Sequence, residues 1–186
     1  LNVGQVMERE AKAQARKDDW RSIYEDCYEF ALPQRNLYSG YYEGGVTGRG
    51  KMSRVFDSTA IHATQRFANR IQAGLFPPYK TWCRLETGSA IPEESDAQAQ
   101  SVLDDYTTTM FETLRQTNFD LAMGEFLLDL AVGTAVMMIM PGDEATPIRF
   151  APIPQYLVAI EEGAFGNVDN VYRKLRLKAE AIPVEY

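Results

Sequence analysis

The hydrophobic period of this chain changes once, at Gly133, and that change limits the folds open to it. Upstream of Gly133, apolar residues recur every three or four positions, the spacing of amphipathic helices. Downstream, Thr134 to Met140 is a continuous apolar run, and Pro141-Gly142-Asp143 is a turn. Ile148 to Pro152 is extended, Tyr156 to Glu161 reads as a strand, Gly163 to Asn167 as a turn, and Val171 to Lys178 as a last strand. Helices first and sequential strands afterwards predict an α+β fold: an amino-terminal helical layer followed by an antiparallel β meander. Residues 1–133 form the mainly helical part and residues 134–186 the β-meander part of the same body. At 186 residues and 45% hydrophobic content, the chain has enough apolar surface for one shared core.

The helical part divides at its prolines and glycines. Residues 5–32 read as one long helix, with Trp20, Ile23, Tyr24, Cys27, Phe30 and Ala31 on one apolar face and Pro33 ending it. Residues 34–56 form a loop rich in glycine and tyrosine. A second helix starts near Asp57 or Ser58, either of which can cap it, and closes at Gly74 and Pro77-Pro78. Its apolar face is Ala60, Ile61, Thr64, Phe67, Ala68, Ile71 and Leu75. Trp82 to Glu86 alternates like a short strand. A third helix follows Pro92, with acidic residues in its first turns. Asn118 marks its end, and Asp120 caps a fourth helix.

Several chemistries find no support. Cys27 and Cys83 sit in no CxxC or Cys/His cluster, so they read as free thiols in a reducing compartment. The glycine-rich loop lacks the phosphate-loop pattern, since Met52 follows Lys51. His62 is the lone histidine and has no nucleophile or acid beside it in a known motif. Asp104-Asp105 and Glu93-Glu94 are neighbours on a helix and point about 100° apart, so they do not converge on one substrate. No acidic spacing resembles a metal cage. The sequence therefore predicts no catalytic residue, no cofactor and no metal. Met137, Met138 and Met140 read as irregular core filling, with an adaptable interface as the sharper alternative.

No apolar stretch is long enough for a membrane span, and the first residues are too charged for a secretory leader. Charge is uneven: residues 1–80 carry twelve Lys/Arg against nine Asp/Glu, while residues 81–186 carry seven against seventeen. A net charge of −7 argues against tight binding of nucleic acid. The clustered cations are Arg49, Lys51 and Arg54 at the end of the loop, and Lys174, Arg176 and Lys178 on one face of the last strand. They are the candidate contacts to DNA or to a neighbouring subunit, with a solvated, aggregation-resistant strand edge as the plainer reading of the second group.

Four stretches carry a family likeness: WRSIYEDCYEFALP from Trp20, VFDSTAIHATQRFANRIQAGLFPP from Val55 followed by Trp82, FLLDLAVGTAVMMIM from Phe126, and PIRFAPIPQYLVAIEEGAFGNVDNVYRKLRL from Pro147. In this order they resemble the portal proteins, or head-to-tail connectors, of short-tailed, T7-like bacteriophages. The chain is similar to the amino-terminal, wing-like part of those longer proteins. The resemblance implies a homo-oligomeric ring, a dodecamer, at one vertex of the virion, assembled in the host cytoplasm. It implies that double-stranded DNA enters and leaves through the ring, weakly contacted. Its partners would be the terminase large subunit, the scaffolding and major capsid proteins, and tail adaptor proteins. It also implies no enzymatic activity. The alternatives are a head-completion or tail adaptor, against which the β meander argues, and a hydrolase or nuclease built on the acidic cluster.

Overall fold

The computed structural model describes residues 2–35, 54–88 and 93–175, with the backbone alone for residues 93–96. Among these residues five helices precede four strands, confirming the α+β order: α1 (Val3–Asp18), α2 (Arg21–Ala31), α3 (Thr59–Leu75), α4 (Glu93–Arg115), α5 (Phe119–Val132), β1 (Val136–Pro141), β2 (Ile148–Ile153), β3 (Val158–Glu162) and β4 (Val168–Arg173). The strands of the meander form two two-stranded sheets, β1–β2 and β3–β4. The chain groups into two compact units. One comprises Leu1–Ile61, Val132–Val136 and Ile153–Tyr186, and the other His62–Ala131 and Met137–Pro152.

In the first unit, the expected long helix is broken in two. The Trp20 amide bonds the Lys17 carbonyl at 3.0 Å, three residues back, and Trp20 leaves helical geometry at φ −98°, ψ 1°. The Tyr24 amide then bonds the Trp20 carbonyl at 3.1 Å and a new helix starts. Neither proline nor glycine marks this break. Gln5 accepts from the Asn2 backbone N–H at 3.0 Å, so α1 starts as a capping box would have it. α1 packs on β3 through Arg9, whose Nε reaches both carboxylate oxygens of Glu161 at 3.0 and 3.1 Å. The expected apolar face is only partly covered: Tyr24, Cys27 and Ala31 are half-buried, Trp20 and Ile23 are 59% and 53% exposed, and the buried residue of α2 is Tyr28, which the sequence pattern had not placed on that face.

β3 and β4 pair antiparallel from Val158↔Arg173 to Glu162↔Val168, with an irregularity between Glu161 and Glu162. Their connection is the expected glycine turn, where the Gly163 amide bonds the Asn167 carbonyl and Gly166 takes φ 75°, a conformation glycine adopts without strain. β4 begins three residues earlier than the alternation suggested and ends at Arg173.

In the second unit the core is aromatic. Phe119 and Phe150 are buried with Ala122, and Phe76, Trp82, Leu114, Met123, Met137 and Ile148 pack around them. Trp82 stacks on Phe119 with ring centroids 6.0 Å apart, and Phe150 meets Phe119 edge-on at 5.2 Å. Ring pairs of this kind add about 0.5–1.5 kcal/mol beyond the area they bury. Met137 thus fills core space, as the sequence suggested. Trp82 to Glu86 is not a strand. Among the described residues no strand lies beside it; the Leu85 amide donates to Thr107 Oγ1 and its carbonyl accepts from Gln100 Nε2, so side chains of α4 satisfy its backbone.

α4 ends at Arg115, three residues before Asn118, and Asn118 is instead the residue from which α5 starts: the Ala122 amide bonds its carbonyl at 3.0 Å, and Asp120 lies inside the first turn instead of capping it. The β1–β2 turn is tight. Asp143 Oδ1 accepts from the amide and the hydroxyl of Thr146 at 2.8 and 2.9 Å, and a Cβ on Gly142 would collide with the Thr146 carbonyl oxygen, so only glycine fits.

Candidate functional site

The six cations singled out from the sequence are not all in view. Arg49, Lys51, Arg176 and Lys178 lie outside the described residues. Arg54 is engaged within its own protomer. Its Nη1 donates to Glu29 Oε2 at 3.0 Å and its guanidinium sits 5.6 Å from the Phe30 ring centroid, which fastens it to α2. Lys174 follows β4 and does not belong to it: its amide bonds the Leu157 carbonyl at 2.8 Å, while the residue is exposed.

The residues weighed for catalysis are occupied or dispersed. Asp104 is gripped by Arg84 at 2.8 and 2.9 Å and by Gln100 at 3.0 Å, and these donors hold its carboxyl below the usual range, the arginine bond most of all. Asp105 points away, as adjacent helical positions must, and is exposed. His62 is exposed on α3. Among the described residues no group of three His, Cys, Asp or Glu side chains is placed to hold a metal ion, and no helix is long and apolar enough to cross a membrane. Cys27 is half-buried and Cys83 exposed, both as free thiols.

What the sequence did not disclose is a groove of about 580 Å³ in the first unit, opened by the break between α1 and α2. Trp20, Tyr24, Val136, Val158 and Val168 make it apolar, and Arg16, Lys17, Asp19 and Glu162 stand along it. Lys17 Nζ donates to the Tyr156 carbonyl at 2.6 Å and lies 5.6 Å from the Tyr156 ring centroid. Burial lowers its pKa to about 8. At the groove, Tyr24 and Gln155 leave room only for a glycine at Gly133: a Cβ there would sit 2.9 Å from Tyr24 Cε1 and 3.1 Å from Gln155 Oε1. The glycine at which the sequence pattern switches is therefore also the place where α2 and the 3₁₀ turn Gln155–Leu157 need room. Beside the groove, Glu161 collects Arg9, Tyr172 at 2.8 Å and Asn170 at 3.2 Å, and these donors, Arg9 first, hold its carboxyl below the usual range. An apolar floor with charges along its walls suits the burial of another protein's side chains; it offers no paired nucleophile and base.

Residues 3–186 match the profile of the bacteriophage head to tail connecting protein family. The chain belongs to this family. The likeness read from Trp20 to Pro33, Val55 to Pro78, Phe126 to Met140 and Pro147 to Leu177 lies wholly within the matched region. No curated protein sequence matches the chain. As a head-to-tail connector it is a component of the phage particle. The surfaces described above are accordingly those of a protein whose work is to join capsid and tail parts.

Proposed function

We propose that this connector chain is the amino-terminal part of a portal subunit, which closes into a ring at one capsid vertex. DNA is packaged and ejected through that ring, and terminase, scaffold and tail adaptors dock on it without catalysis by the chain itself. The observation that carries the reading is the connector-family match along residues 3–186. Exposed apolar residues at the start of α2 and along it, Trp20 and Ile23 among them, support it, because a subunit buries such faces against others. The net charge of −7 favours a duplex that slides: phosphates meet mostly repulsion, and few lysines or arginines are left to hold them. A full-length chain that continues well past Tyr186 is expected of a portal and not of a short adaptor. The deciding experiment is the mass of the full-length protein in solution. A closed ring is expected, since a head-to-tail interface whose rotation closes gives one. A monomer at micromolar concentration overturns the reading.

A further inference from the structure

The second unit presents two charged helix faces of opposite sign. On α3, His62, Arg66 and Arg70 follow one another at four-residue steps, so they form one row about 12 Å long at 1.5 Å per residue. All three are exposed, and α3 contains no Asp or Glu at all. No ion pair within the chain reaches Arg66 or Arg70 among the described residues. Beside this row runs an apolar strip, with Ala63 exposed, Phe67 40% exposed and Gly74 open to approach. The sequence pattern had assigned Phe67 to the core face; the structure turns it toward the exposed side.

α4 carries the converse arrangement, with six acids and a single arginine. Asp105 and Glu112 are exposed seven residues apart, about 10.5 Å along the helix, and belong to one side of it. Next to them Val102 and Tyr106 are 50% and 61% exposed, again an apolar strip beside a charged row. Among the described residues nothing covers either face. They are opposite in sign, similar in length and alike in the pairing of charge with apolar surface.

We infer that the Arg66–Arg70 face of α3 in one copy docks on the Asp105–Glu112 face of α4 in a second copy, forming part of a head-to-tail contact. The inference rests on the ring reading above and names the surfaces that close it. A contact between two different faces of the same chain is heterologous, and that is the type a cyclic ring requires. Duplex DNA is the rival occupant for the basic row. It explains neither the exposed Phe67 beside that row nor the matching acidic and apolar face on α4, whereas a second copy accounts for all of them.

The test is charge exchange in the full-length protein, read as ring population by native mass spectrometry at fixed concentration. Arg66→Glu with Arg70→Glu, and separately Asp105→Arg with Glu112→Arg, should each reduce the ring-to-monomer ratio by about tenfold or more, since like charges then face each other. Combining all four substitutions should restore the ring, a rescue that misfolding would not produce. Wild-type protein that is itself monomeric removes the ring reading and this contact together. A wild-type ring with intact rings in both reversed variants removes the contact alone. Loss without rescue also overturns the pairing. Rings that survive while Arg66→Glu/Arg70→Glu abolishes salt-sensitive binding of duplex DNA assign the basic row to DNA and overturn it too.

Discussion

Asn118 is expected to be the polar residue on which the second unit most depends. Its Nδ2 donates to the Phe150 carbonyl at 2.7 Å, and its Oδ1 accepts the Phe150 amide at 3.0 Å, so one side chain completes both backbone groups of a buried β2 residue. It also supplies the carbonyl from which α5 begins. Asn118→Ala deletes two hydrogen bonds worth about 1 kcal/mol each. The residue is itself exposed, so water reaches part of the vacated space and the penalty for unpaired groups is small. The sum is about 2 kcal/mol, which for a unit of this size is a drop of about 8–16 °C in Tm. Trp82 reports on it directly, because it stacks on Phe119 beside Phe150. A Trp20→Phe background removes the only other tryptophan, so fluorescence melting follows the second unit by itself. Asn118→Asp keeps the acceptor but sets a carboxylate against the Phe150 carbonyl, so it should fall between wild type and alanine near pH 4 and no higher than alanine at pH 7, about the ordinary and fully ionised ranges of an aspartate. Stability of Asn118→Ala within about 0.5 kcal/mol of wild type, the scatter of ordinary surface changes, would refute the argument.

Two further outcomes follow from charge in the first unit. Glu161 is held below its ordinary value of 4.5 by Arg9, so its contribution is complete above that value and is lost as pH falls through the lowered one. Amide exchange in α1 should therefore accelerate on acidification below 4.5, and Glu161→Gln should flatten that step; an unchanged profile in the variant would mean that Arg9 does not anchor α1. Lys17, lowered by burial from 10.5 to about 8, penalises folding while charged, so the first unit should gain stability as pH rises from about 8 to 10.5. NMR titration of the lysine side chains should show one midpoint near 8 that disappears in Lys17→Met; midpoints all near 10.5 would contradict the burial.

The sequence by itself determined the order and kind of the elements. Periodicity in α3, α4 and α5, the change of period at Gly133 and the turn residues at Gly142 and Gly163 are local signals, written in side-chain spacing and backbone freedom. The family likeness was legible for the same reason, as a succession of short patterns. Tertiary structure alone decided the rest. The break between α1 and α2 has no proline or glycine to announce it; α1 instead packs on β3, through a pair 152 residues apart in sequence. Trp82 to Glu86 alternates like a strand yet takes its hydrogen bonds from α4, because alternation records which residues face inward and not which partner satisfies the backbone. Arg54 was picked out as a clustered cation, and only the fold shows it tied to Glu29. The opposed rows on α3 and α4 are spaced as plainly as any core stripe, but spacing cannot say which face of a helix is buried. Burial depends on everything packed around the helix, and that is decided only when the chain has folded.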